Sequence, residues 1–160
     1  MSDSLGALNP SQWIVLGHVM IAMLLGGALG MERELASKPA GLRTHMLVTG
    51  AATLLVLLSD VVVKDFDAGM VANMIRVDPL RIVEAVITGV SFLGAGTIIV
   101  RRGTADAVEG LTTAASILFA AGIGIAVALG QLIVATGATA LTLITLRVIG
   151  SFASHHAGDR

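Results

Sequence analysis

The segment Gly30–Met46, GMERELASKPAGLRTHM, separates two of the most apolar stretches of the chain. Its middle, SKPAG at Ser37–Gly41, carries the proline and glycine that are typical of a turn. The segment therefore predicts a hairpin of two apolar helices joined at a polar end. Three readings of that end stay open: a solvated turn, a charge that fixes orientation in a membrane, and a working site. The side chains concerned are Glu32, Arg33, Glu34, Lys38, Arg43 and His45.

The whole chain has the composition of a membrane protein. It is 55% hydrophobic and 13% charged, with a mean hydropathy of +0.89, whereas a soluble domain carries about 25% charged residues. The net charge of −1 gives no bulk attraction to nucleic acid, and the absence of cysteine excludes disulfides, thiolate metal sites and thiol catalysis. The residues before Trp13 lack a basic region, so we expect no cleavable signal peptide. We predict one transmembrane domain over residues 1–160.

Five membrane-spanning helices follow from the apolar runs, because a span needs about 20 mainly apolar residues. Asp78 and Pro79 form a start signal for the third span, as N-cap and first helical residue. ALGQ, at residues 128–131, predicts a tight break between the fourth and fifth spans. Arg147 falls inside the fifth span and can snorkel to the headgroups. We predict an all-α polytopic membrane protein with spans at about 13–31, 46–63, 80–100, 110–129 and 131–150.

Lysine and arginine predict the orientation, because cytoplasmic loops carry an excess of both. The junctions after spans one and three are basic, and the opposite side is richer in aspartate. We therefore place the N-terminus outside and the C-terminus inside. Topological anchoring alone would explain Arg101 and Arg102 at the second of these junctions.

A faint internal repeat links the first two spans to the next two. GGALG at residues 26–30 is matched by LGAG at 93–96, and GLRT at 41–44 by GLTT at 110–113. The two pairs would form a parallel two-helix repeat about an axis along the membrane normal. Alternatively, glycine, leucine and threonine are simply common in membrane helices. A true repeat would bring the two charged junctions to one face.

Glycines mark the predicted helix contacts. Gly26 and Gly30 are four residues apart and form a flat stripe on which another helix can pack closely. The partner helix is either within the chain or in a second copy, as in a dimer. Gly94 and Gly96 are the corresponding glycines at the end of the third span.

The charges of the first junction predict ion pairs. Glu34 and Lys38 have the four-residue spacing that lets side chains meet on a helix. Arg43 lies at the start of the second helix, where a cation opposes the helix dipole, so it needs an anion such as Glu32 or Glu34. A solvated helix end with weak pairs is the alternative.

A second polar cluster marks the outer end of the third span. Asp78, Arg81 and Glu84 are three residues apart and share one helix face. A carboxylate at the depth of Glu84 is energetically costly unless it is paired with a cation or hydrated. Pairing with Arg81 at headgroup level is one reading. The other is an outward-facing site at which Asp78 and Glu84 bind a hard cation such as Mg²⁺.

Four motifs occur in the order and spacing of the MgtC/SapB family of bacterial inner-membrane proteins, which the chain resembles from about Leu24 to Gly130. They are GGALGMERE, KPAGLRTHMLVTGA, DPLRIVEAVITGVSFLGAGTII and VEGLTTAAS. The resemblance implies a multi-pass protein of five spans. It places the family's polar signature on Glu32, Arg33, Glu34, Lys38, Arg43, Thr44, Asp78, Arg81, Thr112 and Thr113. Departures from the family pattern fall at Ala85, Ser91 and Leu118. Full-length virulence-associated members also carry a soluble C-terminal domain, which we do not expect in this chain.

The resemblance also implies the field of function. Family members are linked to growth at low magnesium and, in pathogens, to survival in host cells. Some are associated with restraint of the membrane ATP synthase through helix contacts. We expect a regulatory protein that contacts membrane lipid, a second copy of itself and another membrane complex. The alternative is a homo-oligomeric transporter or channel for magnesium or another cation. No catalytic signature is present, so we expect no enzyme.

Overall fold

Five α-helices and one small β-hairpin make up the part of the protein that the computed structural model describes, residues 10–67, 79–101 and 107–149. The helical architecture predicted from the sequence is confirmed. Both strands have three residues and pair antiparallel, with Ile99 opposite Glu109. The elements are α1 Pro10–Leu35, α2 Leu42–Asp67, α3 Pro79–Ala95, β1 Ile99–Arg101, β2 Ala107–Glu109, α4 Leu111–Ala128, α5 Leu132–Ile144 and a final π-helical turn, Thr145–Ile149.

Three of the described helices are long and apolar enough to cross a membrane: Gln12–Leu35, Leu42–Val61 and Leu111–Ala128. Helix α3 has 17 residues and α5 has 13, both below the length of about 20 that a full span needs. The number of five spans, the orientation and the internal repeat therefore stay predictions. The start of α3 at Pro79 agrees with the predicted start signal, whose other residue, Asp78, lies outside the described residues.

The third helix is shorter than predicted. The sequence interpretation carried it to Val100, but α3 ends at Ala95 and the chain turns through Gly96 and Thr97. Thr97 donates to the Gly94 carbonyl from both its backbone nitrogen, at 2.9 Å, and its hydroxyl, at 2.7 Å. The β-branched residues that follow suit a strand better than a helix. The apolar run thus continues beyond the helix as β1.

Two Schellman motifs close the helical hairpins. At the end of α1, Ser37 adopts a left-handed φ of 53°, and Lys38 N–H donates to the Arg33 carbonyl at 2.9 Å. At the end of α4, Gly130 takes the same role with φ 71°, and Gln131 N–H donates to the Ala126 carbonyl at 2.9 Å. The predicted break at residues 128–131 is confirmed.

Helix α4 lies at the centre and packs against the other four helices. Helices α2 and α4 run parallel, because two hydrogen bonds between them, His45–Ser116 and Thr53–Gly124, both join residues 71 apart. One apolar cluster joins α1, α4 and α5, and a second joins α2, α3 and α4. Their buried members are Ala22, Leu29, Ile123, Val127 and Ala135 in the first, and Ala52, Val56, Val86, Ala121 and Ile125 in the second.

The predicted glycine stripe packs inside the chain. A Cβ on Gly30 would lie 2.6 Å from the Leu42 Cα, and one on Gly26 would lie 2.6 Å from the His45 carbonyl oxygen. Only glycine allows α1 and α2 to approach so closely. The close-packing prediction is confirmed for this stripe, and the alternative that the same glycines face a second copy is wrong. The dimer itself stays a prediction.

The second pair of glycines is less constrained. A Cβ on Gly94 would touch the Ala114 backbone of α4 at 3.5 Å, which is ordinary contact. One on Gly96 would meet only the carbonyls of its own turn. Gly94 therefore packs α3 on α4, whereas Gly96 belongs to the turn before β1.

Candidate functional site

His45 is a fully buried polar side chain in the interface between α2 and α4. Its Nδ1 lies 2.9 Å from the Gly41 carbonyl oxygen, and its Nε2 lies 3.0 Å from Ser116 Oγ. A carbonyl can only accept, so Nδ1 carries a hydrogen and donates to Gly41. The Ser116 hydroxyl donates to the Thr113 carbonyl at 2.8 Å, and its oxygen also lies within hydrogen-bond distance of Nε2. The histidine thus joins the start of α2 to the first turns of α4.

Two threonines continue this line along the same face of α2. Thr49 donates to the His45 carbonyl, and Thr53 donates to the Gly124 carbonyl of α4 at 2.8 Å. A Cβ on Gly124 would collide with the Thr49 carbonyl, so glycine is needed for this approach. We call the five residues involved the polar seam, and each is at most 3% exposed: His45, Thr49, Thr53, Thr113 and Ser116.

A buried ion pair lies at the end of α1 next to the seam. Glu32 is 7% exposed and Arg33 is 4% exposed, and Arg33 Nε donates to Glu32 Oε2 at 2.5 Å. Breaking such a pair from one side leaves an uncompensated charge in the interior, which costs several kcal/mol. The pair therefore allows both charges to be buried near the end of α1.

Glu34 caps the second helix from the end of the first. Its Oε2 accepts from the Leu42 backbone N–H at 2.9 Å, which satisfies one of the free N–H groups of the first turn of α2. The negative charge also complements the positive end of the helix dipole. A Cβ on Gly41 would lie 2.8 Å from that oxygen, so glycine at 41 makes room for the cap.

The predicted pairing of Arg43 with Glu32 or Glu34 is wrong. Glu32 binds its neighbour Arg33 and Glu34 binds a backbone N–H, while Arg43 is exposed and makes no ion pair in the part of the chain that is described. The predicted Glu34–Lys38 pair is also absent from the described residues. The pair does not form because α1 ends at Leu35 in a Schellman turn, so Lys38 no longer has the helical four-residue spacing from Glu34.

The other residues predicted on the same side of the membrane as Glu32 differ in burial. Thr113 is buried in the seam, Thr44 is half-buried and Thr112 is exposed. Arg101 ends β1, but its side chain lies outside the described part, as does the whole of Arg102. The structure thus buries Glu32, Arg33 and Thr113 and leaves Lys38, Arg43 and Thr112 exposed.

The predicted outer cluster is only partly described. Arg81 and Glu84 are exposed on α3 and form no ion pair with each other, so the pairing reading is wrong. Both side chains lie at the surface, where they can take separate directions. Asp78, the other proposed metal ligand, lies outside the described residues. Among the residues that are described, no three metal-ligating side chains gather at one place.

The sequence interpretation missed most of the polar seam. His45 entered only as one charge of the junction, and Thr49, Thr53 and Ser116 were not singled out. A signal was present, because residues 45, 49 and 53 recur every four positions on one face of an apolar helix. Polar side chains at that spacing in lipid need partners on a neighbouring helix.

The distance between Ser116 and His45 matches that of a catalytic nucleophile and its base, but both side chains are buried. A serine hydroxyl 3.0 Å from a histidine nitrogen is within the range of an activated nucleophile. Ser116, however, is 3% exposed and packed in the α2–α4 interface. The arrangement is therefore suited to holding helices in one register.

Comparison with known proteins gives the family. The family model described as "MgtC family" matches residues 19–155. The chain belongs to the MgtC family. It is 39% identical over 140 residues to an uncharacterized protein of Haemophilus influenzae, covering 88% of this chain and 57% of that protein.

Two further relatives bear on the resemblance. The Escherichia coli protein named "Putative magnesium transporter YhiD" is 37% identical over 131 residues, covering 82% of this chain and 58% of that protein. Protein SapB of Bacillus subtilis is 38% identical over 123 residues, covering 77% of this chain and 50% of that protein. The chain therefore spans between half and three-fifths of these relatives. No solved structure matches it.

These matches confirm the MgtC/SapB resemblance that the four sequence motifs indicated. Together with the three apolar helices, they identify a membrane protein of the MgtC family. Placement in the bacterial inner membrane remains a prediction.

Proposed function

We propose that this MgtC-family protein is a regulatory membrane protein, which serves adaptation to low magnesium by helix contacts with another membrane complex. The observation that supports this proposal best is the filled and internally bonded centre of the α1–α2–α4 unit.

Apolar side chains fill that centre, and its polar groups bind one another. Leu29, Ile117, Ile123 and Val127 are at most 1% exposed. The hydroxyl and ring atoms of the polar seam find their partners within the bundle. A cation path needs oxygen ligands facing a wet space, whereas these oxygens join α2 to α4. The interior of one copy therefore favours a fixed shape over an ion route.

The outer surface offers large apolar side chains to lipid or to other helices. Phe92 of α3 is 84% exposed, and Ile133 and Leu141 of α5 are 89% and 66% exposed. Helices associate in lipid through such surfaces by close packing. The family resemblance names the membrane ATP synthase as a candidate complex, and we propose a second copy of the chain as a further partner.

The competing function is magnesium transport by a homo-oligomer, in which the path would lie between copies. The name of the E. coli relative points to it. Within this chain, Glu84 on α3 is one exposed carboxylate that could face such a path.

Flux measurement separates the two functions. The purified chain is reconstituted into liposomes that contain a magnesium-sensitive dye, with protein-free liposomes and Glu84→Ala as controls. We expect magnesium entry at the protein-free rate for both proteins. Entry above that rate that Glu84→Ala abolishes would overturn the regulatory proposal.

The regulatory function is tested by a separate measurement. ATP-driven proton pumping is followed in inverted membrane vesicles, with and without the reconstituted chain. We expect pumping to fall when the chain is present. Unchanged pumping would remove the ATP synthase as the partner.

A further inference from the structure

An apolar groove runs along the lipid-facing side of the bundle between α2 and α3. It encloses about 620 Å³, and every residue that lines it is apolar except Arg81, in the first turn of α3. Its floor includes small residues, Ala51 and Ala52 on α2 and Ala85 and Gly89 on α3. A Cβ on Gly89 would meet nothing within 4 Å, so the floor is open there.

The charge at the groove has no ion-pair partner among the described residues. Arg81 is exposed and makes no ion pair within the described residues. Glu84 lies one turn further along α3 but does not line the groove, and Asp60 near the end of α2 makes an interaction of its own. A cation in the first turn opposes the helix dipole, and an arginine at membrane depth is costly without an anion. The groove therefore combines an apolar lining with a positive charge that is unpaired within the described part of the chain.

The length of the groove favours a lipid chain over a protein helix. From Arg81 to Leu93, α3 rises about 18 Å at 1.5 Å per residue. One leaflet of the hydrocarbon core is about 15 Å deep, half of the full thickness, whereas a transmembrane helix would use about 30 Å. A groove of one-leaflet length with a cation near one end matches a phospholipid whose phosphate lies at the headgroup level.

A second groove provides an internal comparison. It lies between α3, α4 and α5, encloses about 340 Å³ and has an apolar lining without a charged residue. Leu118 lines this groove, and so does Gly122, where a Cβ would also meet nothing within 4 Å. Any lipid can fill such a groove, since nothing in its lining distinguishes one headgroup from another.

We infer that the α2–α3 groove is a binding site for one anionic phospholipid, whose phosphate contacts Arg81 and whose acyl chain lies along the groove. The site is independent of the regulatory function proposed above. Arg81 selects an anionic headgroup by a charge-assisted contact, and the apolar lining accepts the chain without selecting among chains.

Brominated lipids test the site at one position, because they quench tryptophan at close range. The chain has one tryptophan, so Trp13→Phe removes the background. The Leu55→Trp reporter lines the α2–α3 groove, and Leu118→Trp is the matched reporter in the second groove. Each variant is reconstituted with brominated phosphatidylglycerol or brominated phosphatidylcholine that carry the same acyl chains.

We expect phosphatidylglycerol to be preferred at the Leu55→Trp reporter by about tenfold in apparent affinity, as one contact to a charged group allows. We expect no preference at the Leu118→Trp reporter. Arg81→Gln should abolish the preference, and Arg81→Lys should keep part of it. Gly89→Leu should fill the groove and reduce quenching by both lipids, whereas Gly122→Leu should leave the Leu55→Trp reporter unchanged.

Three results would overturn the inference. Equal preference at both reporters would indicate general attraction of anionic lipid. An unchanged preference in Arg81→Gln would exclude the assigned cation. Absence of quenching by either lipid, with cross-linked dimers that Gly89→Leu abolishes, would mean that a second copy occupies the groove. Ala85→Leu replaces Gly89→Leu if the latter does not yield folded protein.

Discussion

Helix α2 makes two contacts of opposite kinds on its two sides. Toward α4 it presents His45, Thr49 and Thr53, which are buried and bonded across the interface or to their own helix. Toward α3 it presents leucine and alanine side chains, and a groove of about 620 Å³ stays open there. The same helix in the same surroundings thus packs tightly on one side and loosely on the other.

The difference follows from the solvent. In lipid, apolar side chains gain little by leaving the tails, so polar bonds and close backbone contacts hold helices together. The α2–α4 contact has both, through the polar seam and Gly124, and the α1–α2 contact has the glycines at 26 and 30. Among the described residues, the α2–α3 contact has neither, so this side remains available to lipid or a partner.

The largest predicted effect comes from the buried ion pair beside the seam. Arg33→Met leaves Glu32 charged and unpaired in the interior, which should lower the free energy of unfolding by about 3–5 kcal/mol. Arg43→Met is the matched control, because Arg43 is exposed and unpaired among the described residues. Unfolding in detergent micelles measures both, and equal losses would mean that burial of the pair does not matter.

Close backbone approach gives the next effect. Gly26→Val should lower the free energy of unfolding by about 1–3 kcal/mol, because its side chain must separate α1 from α2. Gly122→Val serves as control, since a Cβ there meets nothing within 4 Å. If both variants unfold alike, the contrast between close and open helix contacts is wrong.

The single hydrogen bond from Thr53 to α4 should have a smaller effect. Thr53→Val keeps the shape but loses the hydroxyl that reaches the Gly124 carbonyl, at a cost of about 0.6 kcal/mol and at most about 1.7 kcal/mol. Thr136→Val loses a hydroxyl that is exposed and bonds only within α5. We expect that control to unfold like the parent protein, and a similar loss would show that the cost is not interhelical.

Arg43→Ala should show the smallest effect on stability and a large one on function. The side chain is exposed, so the free energy of unfolding should change by less than about 0.5 kcal/mol. We propose that the guanidinium contacts a partner or a lipid headgroup, so growth on limiting magnesium should no longer be supported. Complementation of growth at matched expression measures this. Growth equal to that of the parent protein would mean that Arg43 only helps to set the orientation in the membrane.

The sequence predicted the hairpins well because each break had local chemistry. Pro and Gly mark the turn after α1, and Gly130 marks the turn after α4, where a left-handed φ is required. The end of α3 was harder to predict from the sequence. Its apolar run continues unbroken into β1, and hydropathy does not distinguish a short helix with a strand from a longer helix.

The site was predictable in position but not in pairing. The charges of residues 32–34 marked the right end of α1. Their partners were wrong because residues one apart on a helix are not expected to face each other, yet Arg33 binds Glu32. The cap that Glu34 provides for α2 depends on how the turn folds back. The spacing of residues along the sequence does not predict that geometry. His45 and its threonines had a four-residue period that could have revealed them.

The most direct test of the account is a double-mutant cycle on His45 and Ser116, the pair that joins α2 to α4 at 3.0 Å. The free energy of unfolding is measured for the parent, His45→Ala, Ser116→Ala and the double variant. If polar bonds fix this interface, the two losses should be coupled by about 0.5–1.7 kcal/mol. Losses that add to within about 0.3 kcal/mol would contradict the account, because apolar packing alone would then hold α2 on α4.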